Sequence, residues 1–370
     1  MATYLYDDFR VTFTPGADGS YDVRARDGAG GEATGRFVTP LTDDELRDAV
    51  LGVARATRAR AATRRRTSKP DAGSSRRPGR DVGDDPAPTF DAERLGGALA
   101  TALLGGSIGA AYDRAAVAAR SNGRGIRLTL SLAAAPALLN VPWEFVYRRP
   151  RFLASQRQTP LVRLLDTGVT SDAATIESTV RILGVIANPD DLGPLDVRAE
   201  RRRMELAVKQ MGELGRVELD WVEPATPRRL REALREKQYH VLHYVGHSDF
   251  TADGDGLLFL ESPSGASDTV DATALANLLS DQESLRLVVL NSCEGARTTL
   301  TDPFAGVATT LVHLGVPAVV AMQFEISDDA AILFAEELYT NLIGRQSPID
   351  AAVAEAPTST RPPMAWPSAA

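Results

Sequence analysis

YHVLHYVGHS, residues 239–248, fixes how the rest of the chain is read. Its apolar positions continue almost unbroken to Val245 and stop at a Gly246-His247-Ser248 turn, the profile of a short strand buried on both faces. Runs of the same kind lie on either side: RILGVIA at 181–187, VELDWV at 217–222, LRLVVLNS at 285–292 and PAVVAMQ at 317–323. Amphipathic helical patterns separate them, near 197–214, 227–237, 271–281 and 304–314, with another at 328–343 after the last run. Strands alternating with helices predict an α/β fold whose mostly parallel sheet is covered on both faces. GLLFLES at 256–262 reads as an extra short strand in the connection after the third run.

Further out, the pattern weakens. Residues 3–39 alternate polar and apolar positions around Gly and Asp turns, which predicts a small strand-rich N-terminal region. Thr42–Arg55 looks helical, with Asp43, Asp44 and Glu45 in its first turn. Residues 56–89 mix Arg, Ser, Pro, Gly and Asp without apolar periodicity, as a disordered Arg-rich linker would. Order returns at 90 with an Ala/Leu-rich helix, IRLTLSL at 126–132 and VPWEFVY at 141–147. The expected organisation is therefore 1–55, linker 56–89, a part at 90–175, the α/β part at 176–355, and an irregular tail at 356–370.

Composition limits the function classes. The 370 residues carry a formal charge of −8, yet 55–80 holds ten basic residues against one acid, leaving 31 basic against 48 acidic elsewhere. So acidic a remainder argues against a nucleic-acid partner, because phosphates demand a basic face. No apolar stretch approaches the roughly 18 residues that cross a bilayer. Met1–Val11 lacks the basic start and apolar centre of a secretion signal, so a cytoplasmic protein without membrane contact is expected. The single cysteine, Cys293, suits a reducing compartment and leaves one free thiol to explain.

In a doubly wound sheet, chemistry collects beyond the carboxyl ends of the strands. His247 lies two residues past HVLHYV, and Cys293 follows directly on LRLVVLNS. If these runs are neighbouring strands, about 4.8 Å apart, an imidazole and a thiol on their exit loops come within reach. The imidazole can then take the thiol proton and create the nucleophilic thiolate. The backbone N–H groups of Ser248 and Cys293 are candidates for an oxyanion hole. His240 and His243, inside the strand, are expected to be packed or hydrogen-bonded, and His313 structural. A zinc site built from His243, His247 and Cys293 lacks a fourth ligand, so no metal and no cofactor are expected. Asp302 and Asp249 are candidate walls of a specificity pocket, which would favour a basic side chain before the scissile bond.

Taken together, VPWEFVY at 141–147, YHVLHYVGHS at 239–248, LVVLNSCEGA at 287–296, DPFAGVATTLVHLGVPAVVAMQFEISDDAA at 302–331 and SPIDAAV at 347–353 resemble the CHAT-domain family of caspase-like cysteine peptidases. The resemblance implies a caspase-like three-layer α/β sandwich, His247 as base and Cys293 as nucleophile. It also implies a site-specific endopeptidase acting on a protein substrate, often switched on by a sensor or regulatory protein. Family members usually close with a helix and a final strand carrying W-x-x-P. Here Pro357 interrupts the helix and only Trp366-Pro367 remains, so the tail is expected to leave the PAVVAMQ edge open. An inactive CHAT-like interaction module is the alternative reading.

Overall fold

The structure is a computed structural model that describes residues 5–42, 44–45, 52, 91–165, 176, 179–195, 197–213, 215–252, 255–292, 303–322, 328–356 and 367–369. The expected linker at 56–89 and most of the expected helix at 42–55 lie outside the described residues. The start of that helix is nevertheless visible. Thr42 N–H donates to Glu45 Oε2 at 2.9 Å and Glu45 N–H donates to Thr42 Oγ1 at 3.2 Å, the reciprocal pair of a capping box.

Strands β1 (Tyr6–Pro15), β2 (Tyr21–Asp27) and β3 (Glu32–Phe37) form the expected antiparallel meander. Phe9, Val11 and Phe13 of β1 are buried while Asp8, Arg10 and Thr14 are exposed, so period-two alternation aims one face inward. That face is covered by helices α1 (Ala92–Leu103) and α2 (Gly106–Ser121). The meander is joined to the segment C-terminal to residue 90 rather than standing apart from it. β1 runs parallel to β4 (Gly125–Ser131), a short hairpin is made by β5 (Tyr147–Arg148) and β6 (Arg151–Phe152), and β7 (Leu161–Leu164) completes a five-stranded sheet in the order β3-β2-β1-β4-β7. Residues 6–37 and 92–164 therefore share one sheet and one core, where the sequence pattern suggested two regions.

VPWEFVY enters that core as a 3₁₀ turn, Trp143–Phe145. The Trp143 ring packs 5.8 Å from Phe13 and 5.3 Å from Phe37, and its Nε1–H donates to Leu138 O at 2.8 Å. Glu144 accepts from Arg163 Nη2 at 2.6 Å, with both side chains 4% exposed. Arg163 also donates to Val141 O, so one guanidinium on β7 ties down the start and the middle of the motif.

The second sheet is the one the apolar runs predict. Strands β8 (Val180–Ile186), β9 (Val217–Val222), β10 (Val241–Gly246), β14 (Leu287–Ser292) and β15 (Val319–Met322) are parallel and lie in the order β15-β14-β10-β8-β9. One face packs on α3 (Val197–Glu213) and α7 (Asp328–Tyr339) through Met204, Val208, Phe334 and Leu338. The other packs on α4 (Pro227–Glu236), α5 (Ala272–Leu279) and α6 (Pro303–His313) through Leu230, Leu275, Val307 and Leu311. Neighbouring residues of one strand bury into opposite cores, as Ile182 and Leu183 do, which is why these runs show no polar alternation. The result is an α/β three-layer sandwich, as expected.

Two additions complete the fold. Between β10 and β14 the chain makes a small antiparallel sheet of β11 (Ser248–Phe250), β12 (Gly256–Glu261) and β13 (Ser267–Asp271), so GLLFLES is a strand with partners on both sides. At the far end, α8 (Ile349–Glu355) is followed by β16 (Pro367–Ala369), which pairs antiparallel with β15. The tail is thus not irregular throughout, and the PAVVAMQ edge is occupied rather than open. No single described helix is long and apolar enough to cross a membrane.

Candidate functional site

Chain order sets the place. From β8 the chain goes outward to β9, then returns to the other side of β8 to form β10, and continues through β14 and β15. The winding reverses between β8 and β10, and the crevice above the carboxyl ends of those two strands is where such sheets receive ligands. His247 leaves β10 at that crevice.

The parallel ladder between β10 and β14 runs in register from Val241 with Leu287 to Gly246 with Ser292. The next residues in the chain are His247 and Cys293. Cys293 and Asp302 lie outside the described residues, so the sheet locates the last paired position before the thiol and the imidazole itself.

His247 is held from three sides. Its Nε2 is 2.8 Å from Gly193 O, on the loop that follows β8. A carbonyl can only accept, so Nε2 carries the proton and, in the neutral ring, Nδ1 keeps its lone pair. The His247 backbone carbonyl accepts from Phe259 N–H at 3.1 Å and lies 2.7 Å from the Tyr244 hydroxyl. That hydroxyl, on a side chain buried under the turn, also sits 2.7 Å from Phe259 O. A side chain at Gly246 would overlap it, which explains the glycine before the histidine.

Of the other sequence candidates, Ser248 begins β11 opposite Leu258, at the lip of the same turn. Asp249 is exposed and its Oδ1 accepts from Phe250 N–H at 2.8 Å. His243 is 2% exposed with Nδ1 2.7 Å from the Tyr339 hydroxyl, and burial pushes its pKa down to about 4. It is a neutral packing histidine on the α7 side of the sheet, away from any shared ligand set with His247. His240 Nδ1 accepts from Arg181 N–H at 3.0 Å. His313, expected to be structural, is exposed at the end of α6.

The residues that sequence reasoning missed are those of the loop after β8. Gly193 supplies only a carbonyl, which no motif announces. Asn188 Oδ1 accepts from Leu195 N–H at 2.6 Å, closing the loop on itself. Its position past a strand at a winding reversal was the one available signal.

The CHAT-domain family model matches residues 93–369. No curated protein matches the chain. Among solved structures, two crystal structures of the Saccharomyces cerevisiae separase–securin complex are similar at 12% identity, with TM-scores of 0.49 and 0.48. Each alignment covers 98% of this chain and 30% of that chain, so the protein spans less than a third of the length of those neighbours.

Proposed function

The chain belongs to the CHAT-domain family, and from that premise we propose that it is a caspase-like cysteine endopeptidase that cuts a protein partner, with Cys293 as nucleophile and His247 as base. The observation that carries the reading is the β10/β14 register, whose last pair, Gly246 and Ser292, immediately precedes the two residues. The hydrogen bond from His247 Nε2 to Gly193 O supports it, because it leaves Nδ1 as the proton acceptor.

In the proposed reaction, Nδ1 takes the Cys293 thiol proton and the thiolate attacks the scissile carbonyl carbon. The oxyanion is received by the N–H groups of Ser248 and Cys293. Collapse of that intermediate breaks the C–N bond, the amine leaves with the proton held on Nδ1, and a thioester remains. Water then attacks the thioester while Nδ1 accepts its proton, and return of that proton to sulfur releases the acid and restores the thiol. Asp302 and Asp249 remain proposed specificity acids. A cytoplasmic setting belongs to the proposal because the thiolate must stay reduced. So does an activating sensor or regulatory partner.

The inactive-module alternative drew on a missing closing strand. β16 on the β15 edge removes that argument.

The test is labelling of the purified protein with a peptidyl electrophile, compared with its Cys293→Ala and His247→Ala forms. Labelling that is confined to Cys293, faster than for a free thiol, and dependent on His247 is the expected result. A rate equal to that of a simple thiol, with or without His247, would overturn the assignment.

A further inference from the structure

The imidazole is only as well aimed as the Gly193 carbonyl that holds it, and Gly193 lies on a loop with no regular secondary structure of its own. Something must fix that loop. Three contacts do so, and all come from the β12–β13 hairpin. Asp190 N–H donates to Gly265 O at 2.9 Å. Asp191 accepts from Ser267 through both its backbone N–H, at 2.7 Å, and its hydroxyl, at 2.8 Å. The third contact is Glu261, the last residue of β12.

Glu261 differs from the others because its carboxylate joins two strand-exit loops. Oε1 accepts from Asn188 N–H at 2.9 Å, on the loop after β8, and Oε2 accepts from Ala225 N–H at 3.2 Å, on the loop after β9. Its own N–H donates to Ala225 O at 2.8 Å. Asn188 in turn receives Leu195 N–H on its side-chain oxygen, which closes the segment that contains Gly193. The same strand, β12, supplies the Phe259 N–H that holds the His247 carbonyl. One strand thus grips the histidine backbone directly and its ring partner through a relay.

We propose that Glu261 is a positioning residue for His247, acting through Asn188 and the Gly193 carbonyl to set which way the imidazole Nδ1 faces. Its side-chain contacts are the backbone N–H groups of Asn188 and Ala225, so it acts on the imidazole through the loop after β8. The inference rests on the peptidase reading for its consequence in catalysis, though the positioning itself does not require turnover. Glutamate suits the task because a carboxylate accepts at both oxygens, whereas a glutamine amide accepts at one and donates at the other.

The experiment uses the full chain and two readouts. The first is the Nε2–H resonance of His247 in nitrogen-15 histidine-labelled protein, assigned by its disappearance in His247→Asn. The second is the pH profile of alkylation of Cys293, the only thiol, by iodoacetamide. In Glu261→Gln the Nε2–H resonance should shift and broaden from faster solvent exchange. Alkylation near neutral pH should slow between about 10- and 100-fold, as expected when a reacting group is displaced by a fraction of an ångström to an ångström. Asn188→Ala should reproduce both effects, and Asn188→Asp, which keeps an acceptor oxygen for Leu195 N–H, should restore them in large part. Because the two substitutions lie on different elements, misfolding of one leaves the other to decide.

An unchanged His247 resonance in folded Glu261→Gln and Asn188→Ala overturns the positioning role. A resonance that responds while wild-type alkylation matches a simple thiol keeps the positioning role and sinks the peptidase reading instead.

Discussion

The two sheets of this molecule solve the burial problem in opposite ways. The sheet β3-β2-β1-β4-β7 hides one face under α1 and α2, and its β1–β3 part leaves a polar face, bearing Arg10, Thr12, Arg24 and Arg26, to water. The sheet built on β10 is covered on both sides along its central strands, so the uncovered chemistry of those strands is at their ends. A one-sided sheet can put functional groups anywhere on its open face. A two-sided parallel sheet can place them only where strands leave the core, and that is where His247 lies. On the proposed reading, the first sheet gives support and the second carries the reaction.

The largest effect expected from that division falls on the second sheet. His247→Ala should lower peptidase turnover by about 10²- to 10⁴-fold, the range for loss of a general base, and leave the melting temperature within a degree or two. A parallel fall in melting temperature would mean that His247 is part of the packing and would erase the contrast.

Glu144→Ala should do the reverse. It removes from the first core the carboxylate that accepts from the buried Arg163 guanidinium at 2.6 Å, and breaking a buried ion pair from one side costs about 3–5 kcal/mol of stability. Chemical denaturation followed by the fluorescence of Trp143, beside the pair, reads the loss. If intact Glu144→Ala protein at low temperature retains the wild-type iodoacetamide rate at Cys293, the supporting role stands; a collapse of that rate would couple the sheets more tightly than their separate cores suggest.

The contrast also explains what could be read from sequence. The strands of the second sheet were legible to within about three residues because burial on both faces makes them continuous apolar runs, and their exit residues then marked His247. Pairing of β1 with β4 was not legible. The two are more than 80 residues apart along the chain, with the span 53–90 between them, and parallel pairing leaves no trace in local alternation. Gly193 and Glu261 escaped for another reason: each acts through a backbone group or on one, so residue type carries no signal. β16 was hidden by brevity, three residues after a proline-rich run.

A third test concerns the core of the second sheet below the site. His243 is held neutral by burial, with a pKa of about 4 against an ordinary 6.5. The unfolded chain therefore binds more protons between those values, and stability is lost as pH falls through that window. At pH 5 the loss relative to pH 7 should be about 2 kcal/mol from this group alone. His243→Gln removes the titration while keeping a polar partner for the Tyr339 hydroxyl, so its urea midpoint should vary less between pH 7 and 5. An equal slope in both proteins would mean that the acid sensitivity arises elsewhere, in the carboxylates of the first sheet for instance.

The smallest effect is expected where the sheets meet. Arg157, on the turn before β7, reaches Glu355 of α8 at 3.0 Å, with side-chain exposures of 40% and 17%. Arg127 of β4 reaches Asp350 of the same helix at 2.5 Å, and that aspartate is 5% exposed. An ion pair open to water exchanges hydration for little net gain, so Arg157→Ala should cost less than about 1 kcal/mol and shrink further at high salt. Asp350→Ala removes a carboxylate from a dry site and leaves Arg127 only the longer, more exposed pair with Asp8 at 3.5 Å, so it should cost more than Arg157→Ala at every ionic strength. If the order is inverted, the exposed pair is the true strut between the two sheets, and support for the reactive sheet runs through the turn before β7 rather than through β4.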